Sequence, residues 1–148
     1  SNDDIIYREW MEDEIVIFSN QKLPVKAKAE DLLSYKWVCR NPESNTRLIF
    51  KENLEKANFP DCDTFNVTSE VTSATTIVQT VLHSDKNLTP TVSIVSRNAI
   101  ESLLKSGALF ESRINNQRMI RKLYIAYRKD RKHDAFIENV VDYLLKIK

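Results

Sequence analysis

Short apolar runs rich in β-branched residues alternate along the chain with longer segments in which apolar residues recur at helical spacing. Strands are predicted over residues 14–18, 37–40, 64–70, 92–95, 109–114 and 119–128, and the run at 14–18 is typical of a buried strand. Helices are predicted over 29–35, 46–57 and 74–82, and after Ser96 and Asp134. The clearest of them carries Ala74, Ile77, Val78, Val81 and Leu82 on one face. This alternation predicts an α/β fold with mostly parallel strand pairing.

Capping residues mark the ends of the predicted helices. Small side chains with an oxygen acceptor precede four of these helices: Ser44 or Asn45, Thr72 or Ser73, Ser96, and Asp134. The only glycine, Gly107, falls directly after the helix that follows Ser96, at a position where left-handed backbone is favoured.

Composition then narrows the possible functions. One glycine among 148 residues excludes the glycine-rich dinucleotide and phosphate loops and the G-x-S-x-G nucleophile elbow. A net charge of +1, from 22 basic and 21 acidic residues, gives no overall signature of nucleic-acid or membrane binding. No apolar run has the length of a membrane span, and the leading Ser1-Asn2 is typical of a tag-cleavage remnant.

The histidines and cysteines form no recognisable metal or nucleophile pattern, so we expect neither a metal nor a cofactor. His83 and His133 are far apart in sequence and are expected at the surface or at helix ends. Cys39 lies in a strand run and is expected to act as a small buried hydrophobic residue. Cys62 stands between two aspartates, whose charge should raise its thiol pKa. Two cysteines are too few for a disulfide framework, which fits a reducing compartment.

One basic cluster lies near the carboxyl terminus, with Tyr124 and Tyr127 among its members. Its charged residues are Arg118, Arg121, Lys122, Arg128, Lys129, Arg131 and Lys132. Such a cluster superficially suits nucleic acid. In a strand, however, these charges are distributed over both faces, which favours a solvated strand end.

Two strand-to-helix junctions are better candidates for a binding site. Residues 40–47 and 71–74 each join a predicted strand to a predicted helix. In open α/β sheets, ligands bind beyond the carboxyl ends of strands, where helix N-termini present free N–H groups. The hydroxyls and amides there suit a small polar or anionic ligand. The alternative, equally supported by chemistry alone, is that Ser44, Thr46, Thr72 and Ser73 only cap helices.

The residues of the first junction carry a family resemblance. Residues 37–47, WVCRNPESNTR, resemble the W-x-x-R-E-x-G-S-x-T-R segment in the effector-binding module of LysR-type transcriptional regulators. Further segments resemble other parts of that module in the same order along the chain. They are the crossover strand (residues 10–17), the E-L-x-S-x-x-x-I junction (70–77), a short strand (94–97) and the C-terminal strand (123–131).

The resemblance implies a periplasmic-binding-protein-like (type II) α/β fold with two lobes around a cleft. Residues 1–13 would end the first lobe and form the crossover, 14–116 would be the complete second lobe, and 117–148 would return to the first. It also implies a cytoplasmic, non-enzymatic sensor in a homodimer or tetramer, with DNA bound through an absent N-terminal winged helix-turn-helix. The effector would bind in the cleft between the lobes. The resemblance implies that the second lobe's wall of this cleft is lined by Ser44, Asn45, Thr46, Thr72 and Ser73.

The chain departs from the family pattern in its glycines. Glu43 and Asn45 stand where the family often has glycine, and the polar segment 83–91 replaces a typical G-x-G turn. A solute-binding protein or receptor module of the same fold is the alternative interpretation. An enzyme on this fold is a third, although no acid–base pair or activated nucleophile emerges from the sequence.

Overall fold

The structure, a computed structural model, describes residues 4–115, 117–131 and 134–146. Ser1, Asn2, Lys132 and His133, for which the sequence raised expectations, lie outside these residues. The chain divides into two compact units. Unit 1 comprises the described parts of 1–13 and 120–148, and unit 2 comprises those of 14–119.

Strands and helices alternate through most of the chain. Most lie near their predicted positions, but the first strand begins nine residues before the predicted run at 14–18, and the short second strand was not predicted. The strands are β1 (Ile5–Ser19), β2 (Lys26–Ala27), β3 (Lys36–Arg40), β4 (Asn66–Val71), β5 (Thr91–Ser96), β6 (Phe110–Ile114) and β7 (Met119–Arg128). The helices are α1 (Ala29–Ser34), α2 (Asn45–Lys56), α3 (Ala74–Leu82), α4 (Arg97–Ser106) and α5 (Ala135–Lys146), with short 3₁₀ turns at Cys62–Thr64 and Lys129–Arg131. No described helix combines the length and apolar character needed to cross a bilayer.

The sheet is mixed, and the expected parallel pairing holds for three of the five strand pairs whose register the structure records. Its order is β2-β6-β1-β5-β3-β4, and β7 pairs with β1. The pairs β3–β4, β3–β5 and β2–β6 are parallel, whereas β1 runs antiparallel to both β5 and β6. Helical crossovers impose parallel pairing on β3, β4 and β5. No such crossover fixes the direction of β1, and hydrophobic periodicity carries no information about strand direction.

Two apolar clusters in unit 2 lie on opposite faces of the sheet, because successive strand residues point to opposite sides. Trp37 belongs to one cluster together with Phe50 of α2, and its ring stacks on Phe65 at 5.0 Å between centroids. Val38 belongs to the other cluster, together with Ile77 of α3. Helices α2 and α3 therefore cover opposite faces of the sheet.

The predicted helix ends are confirmed where the structure records a cap. Ser44 and Ser73 occupy the N-cap positions of α2 and α3, and each side-chain oxygen accepts a backbone N–H bond. Asp134 Oδ1 accepts from the backbone N of Phe136 at 2.9 Å, at the start of α5. Gly107 ends α4 with a φ of 79°, the left-handed conformation expected of it.

Unit 1 combines the first part of β1 with β7 and α5. The indole Nε1 of Trp10 donates to the carbonyl oxygen of Leu144 at 2.5 Å, which joins β1 to α5. Arg121 of β7 pairs with the buried Asp13 of β1 at 2.7 Å. Val141 is buried, whereas Phe136 on the same helix is 70% exposed.

Candidate functional site

The structure brings the two predicted strand-to-helix junctions together. Strands β3 and β4 are adjacent and parallel, and their last residues, Arg40 and Val71, are paired in register. Both strands therefore end at the same edge of the sheet. They lead into α2 and α3, which cover opposite faces, so two helix N-termini flank one edge of the sheet.

In the first junction, capping and exposure separate the predicted site residues. Ser44 is buried, and its hydroxyl oxygen accepts a hydrogen bond from the backbone N of Arg47 at 3.2 Å. Asn45 is exposed and Thr46 is half-buried. Ser44 therefore shapes the first turn of α2, while Asn45 and Thr46 present polar groups near the edge.

In the second junction, Ser73 is the cap and Thr72 precedes it. The oxygen of Ser73 accepts from the backbone N of Thr76 at 3.1 Å and lies 2.8 Å from the Thr76 hydroxyl. Thr72 and Ser73 are both exposed. A cap uses one of the two acceptor sites of a serine hydroxyl. A capping serine can therefore still form a further hydrogen bond to a ligand.

Arg47, which the sequence analysis did not single out, holds the edge together. One guanidinium nitrogen donates to the carbonyl oxygen of Arg40 at 2.8 Å and lies 3.5 Å from Glu70 on β4. The other terminal nitrogen lies 3.5 Å from Asp63. Arg47 therefore links α2 to the ends of β3 and β4 and to the 3₁₀ turn. The sequence feature that could have identified Arg47 is its position as the last residue of the 37–47 motif.

Arg40 is the second residue that the sequence analysis missed. It is half-buried, and its Nε is buried without a hydrogen-bond partner. Leaving a buried donor unbonded costs about 1–3 kcal/mol, and more when the group is charged. The sequence shows a basic residue at a strand end but no sign that its side chain would lack a partner.

The loop after β3 carries a local polar contact. Asn41 Nδ2 donates to Glu43 Oε2 at 2.9 Å. That hydrogen bond holds the pKa of the Glu43 carboxyl below its usual value. Glu43 is thus engaged within its own loop.

The two cysteines pack against the α2-side core and are poor nucleophiles. Burial is the main cause that raises the pKa of the Cys39 thiol to about 11. Burial also raises the pKa of Cys62, and the charges of Asp61 and Asp63 add to this effect as expected. Cys62 is only 4% exposed and begins a 3₁₀ turn.

The acids that flank Cys62 are paired with a cation. Ligand-type atoms of Asp61, Cys62 and Asp63 lie within 4.8 Å of one another. Lys51 Nζ, however, lies 3.6 Å from Asp61 and 3.5 Å from Asp63. This arrangement is explained by ion pairing and does not require a metal.

Four members of the basic cluster, among the described residues, have an acidic partner within 4 Å. Its ion pairs are Arg118–Glu14, Arg121–Asp13, Lys122–Glu9 and Arg128–Asp130. The side chains of β7 alternate between half-buried and exposed, as expected of a solvated strand. His83 is the C-cap residue of α3, which confirms the helix-end prediction for that histidine.

Comparison with known proteins places these features in a family. The sequence model described as the LysR substrate binding domain matches residues 1–147. The chain is 27% identical over 143 residues to YeiE of Escherichia coli K12, an uncharacterized HTH-type transcriptional regulator. The match covers 95% of this chain and 46% of YeiE, so the chain spans about half the length of that relative.

Solved structures show the same fold at low sequence identity. The regulatory domain of Synechocystis PCC6803 CcmR, in complex with 2-PG, superposes with a TM-score of 0.74 at 18% identity, covering 97% of this chain and 67% of that one. The regulatory domain of Pseudomonas aeruginosa MexT gives 0.72 at 13% identity, covering 99% and 69%. The fold is therefore the periplasmic-binding-protein-like type II α/β fold of these regulatory domains.

Proposed function

Because the chain belongs to the LysR substrate-binding domain family, we propose that it senses a small polar or anionic effector for a DNA-binding transcriptional regulator. The family assignment favours this function over a solute-binding protein or receptor module. The proposed effector site is the edge of the sheet in unit 2 where β3 and β4 end.

The register between β3 and β4 is the observation that carries this proposal. Because Arg40 pairs with Val71, β3 and β4 end together, and α2 and α3 both begin at this end of the sheet, on opposite faces. Each helix N-terminus presents backbone N–H groups and a partial positive charge. Two such termini at one edge favour a ligand with acceptor oxygens or negative charge.

The residues we assign to the effector are Ser44, Asn45, Thr46, Thr72 and Ser73. Asn45 and Thr46 would contribute amide and hydroxyl groups from the first turn of α2, and Thr72 a hydroxyl from the other junction. Ser44 and Ser73 hold their helix N-termini in place through their caps, at 3.2 and 3.1 Å. The junctions contain no glycine, so side chains and helix ends must hold the ligand.

The regulatory mechanism that we propose is a population shift. An effector that binds one arrangement of the domain more tightly stabilises it relative to the others. In an oligomer, this would alter how paired DNA-binding domains meet their operator. We expect DNA binding through a helix-turn-helix domain outside this chain, in a homodimer or tetramer. We propose that unit 2 is the second lobe of the domain and that unit 1 is part of the first.

We also propose that the domain senses its ligand without turning it over, in the cytoplasm and without a cofactor. The family is one of transcriptional regulators rather than of enzymes. The raised pKa values of both thiols support this view, since a thiol must ionise to act as a nucleophile. Any turnover of a bound ligand would argue against it.

The site assignment is tested by Thr46→Ala and Thr72→Ala. Thermal shift with a panel of small carboxylates and phosphates, including 2-PG, selects a probe, and calorimetry then compares the variants. Loss of one hydrogen bond, about 0.5–1.5 kcal/mol, should weaken binding roughly twofold to tenfold.

Thr80→Ala is the matched control. Its hydroxyl donates to the Thr76 carbonyl at 2.7 Å in the second half of α3, away from the proposed edge. The Thr80→Ala variant should bind the probe with the same affinity as the unmodified chain. Equal affinities in all three variants would remove these threonines from the site, and no binding from the panel would contradict the proposed function.

A further inference from the structure

We propose that Arg40 is the charge-recognising residue of this site and that the effector is an oxyanion, carrying a carboxylate or a phosphate. The inference rests on the proposed function, since it concerns the same edge of the sheet. It narrows the ligand from any small polar molecule to an anionic one, and it assigns the recognition to a single guanidinium group.

The position of Arg40 follows from its strand. It is the last residue of β3 and pairs with Val71, two residues before the Ser73 cap of α3. Alternation along a strand puts residues two apart on the same face. Val38 packs in the cluster that contains α3 residues such as Ile77, so Arg40 leaves the strand on the α3 face. It stands where the strand ends and that helix begins.

The bonding state of Arg40 is the observation that supports the proposal. Its Nε is shielded from solvent and has no hydrogen-bond partner, and among the described residues no carboxylate pairs with its guanidinium. An arginine keeps its charge at every physiological pH. A buried polar group without a partner requires an explanation, and a missing ligand is one of the recognised ones.

Neighbouring carboxylates are engaged elsewhere. Glu70 lies 3.5 Å from Arg47, and Glu43 accepts a hydrogen bond from Asn41 at 2.9 Å. The starts of α2 and α3 add partial positive charge to the same edge. A neutral ligand would leave the Arg40 charge uncompensated. A carboxylate or phosphate would satisfy it, because the planar guanidinium donates two parallel N–H bonds to such groups.

Arg47 provides the contrast that makes the proposal testable. It has the same side chain at the same edge, but its guanidinium already bonds the Arg40 carbonyl and lies near Asp63 and Glu70. We therefore expect replacement of Arg47 to lower stability. We expect replacement of Arg40 to lower anion affinity and to leave stability unchanged or slightly higher.

The experiment follows the Nε–Hε resonance of Arg40 in ¹⁵N-labelled chain, assigned by its loss in Arg40→Lys. Inorganic phosphate and acetate are titrated separately to distinguish the two oxyanions, and glycerol serves as the neutral probe. Backbone amides of residues 44–47 and 73–76 are followed in the same spectra. Arg40→Gln and Arg47→Gln are compared by thermal unfolding and by titration.

The proposal expects one oxyanion, but not glycerol, to shift the Arg40 resonance and the amides together in a saturable manner. Arg40→Gln should weaken that binding roughly tenfold or more, the loss expected for a charge-assisted hydrogen bond. Amide shifts with an unmoved Arg40 resonance, or with unchanged affinity in Arg40→Gln, would overturn the Arg40 assignment and leave the proposed site standing. Glycerol binding without oxyanion binding would overturn the ligand class. No shift at the amides with any probe would count against both proposals.

Discussion

The ion pair between Glu14 and Arg113 offers the sharpest test of what stabilises unit 2. Arg113 Nε donates to Glu14 Oε2 at 2.6 Å, and a terminal nitrogen donates to Oε1 at 2.9 Å, a bidentate pair between β1 and β6. The Glu14 side chain is only 9% exposed. Its hydrogen bonds from Arg113 are the main reason that the pKa of the Glu14 carboxyl lies below its usual value.

Glu14→Gln keeps the size of the side chain and removes its charge. The change replaces two bonds to a carboxylate by at most one bond to a neutral amide oxygen. It leaves Arg113 partly unpaired and removes the ion pair of Glu14 with Arg118. Charge-assisted bonds contribute about 1.5–3 kcal/mol each. Arg113 is 26% exposed and keeps its ion pair with Glu111 at 2.9 Å. We therefore expect a small effect for a charge-assisted pair, a loss of about 2 kcal/mol in the free energy of unfolding at neutral pH. With a urea slope of about 1.5 kcal/mol/M, the midpoint falls by roughly 1.3 M.

The same pair predicts a pH dependence with a definite sign. A carboxyl whose pKa is lower in the folded than in the unfolded chain stabilises the folded state fully above its unfolded pKa, about 4.3. That contribution disappears as the pH falls through the lower folded pKa. The difference in stability between the parent chain and the Glu14→Gln variant should therefore be constant near neutrality and shrink below about pH 4.3.

Tryptophan fluorescence reports the unfolding of unit 2 selectively. The chain has two tryptophans, Trp10 in unit 1 and the buried Trp37 in unit 2. Urea titrations in a Trp10→Phe background therefore follow Trp37 alone, with and without Glu14→Gln. A midpoint within roughly 0.3 M of the parent at neutral pH, using the same slope, would refute the energetic argument. A difference that persists unchanged into acid would refute the pKa argument.

Two further predictions concern backbone and thiol chemistry. Gly107→Ala should destabilise the chain by about 1–2 kcal/mol, measured by urea unfolding. Its φ is 79° and an added Cβ meets no atom within 4 Å, which leaves backbone strain as the cost. Ser102→Ala at an exposed position of α4 is the control, and a Gly107→Ala midpoint equal to that of the parent chain would contradict this prediction. Iodoacetamide should modify Cys39 about a hundredfold more slowly in the native chain than in the urea-unfolded chain at neutral pH. The reason is that a pKa of about 11 lowers the thiolate fraction by about that factor. Equal rates in the two states, measured by mass spectrometry, would refute the burial of this thiol.

Most elements of unit 2 were predictable from the sequence because local chemistry determines them. The spacing of Ile77, Val78 and Val81 predicted α3, and Ser73 and Gly107 predicted helix ends that the structure confirms. Strand direction was less accessible. The antiparallel pairing of β1 with β5 and β6 depends on the route of the chain in space, which periodicity does not encode.

For the candidate site too, local features were predictable from the sequence and tertiary contacts were not. Sequence reasoning located both junctions, because capping residues beside strand ends are local features. It could not separate Arg40 from Arg47, since they are the same residue type seven positions apart in one motif. Only tertiary contacts distinguish them: Asp63 and Glu70, distant in sequence, lie near Arg47, while the Arg40 Nε is buried without a partner. Our proposal for Arg40 therefore depends on a hydrogen bond that is missing in the folded chain. The spacing of residues in the sequence cannot predict such a missing contact.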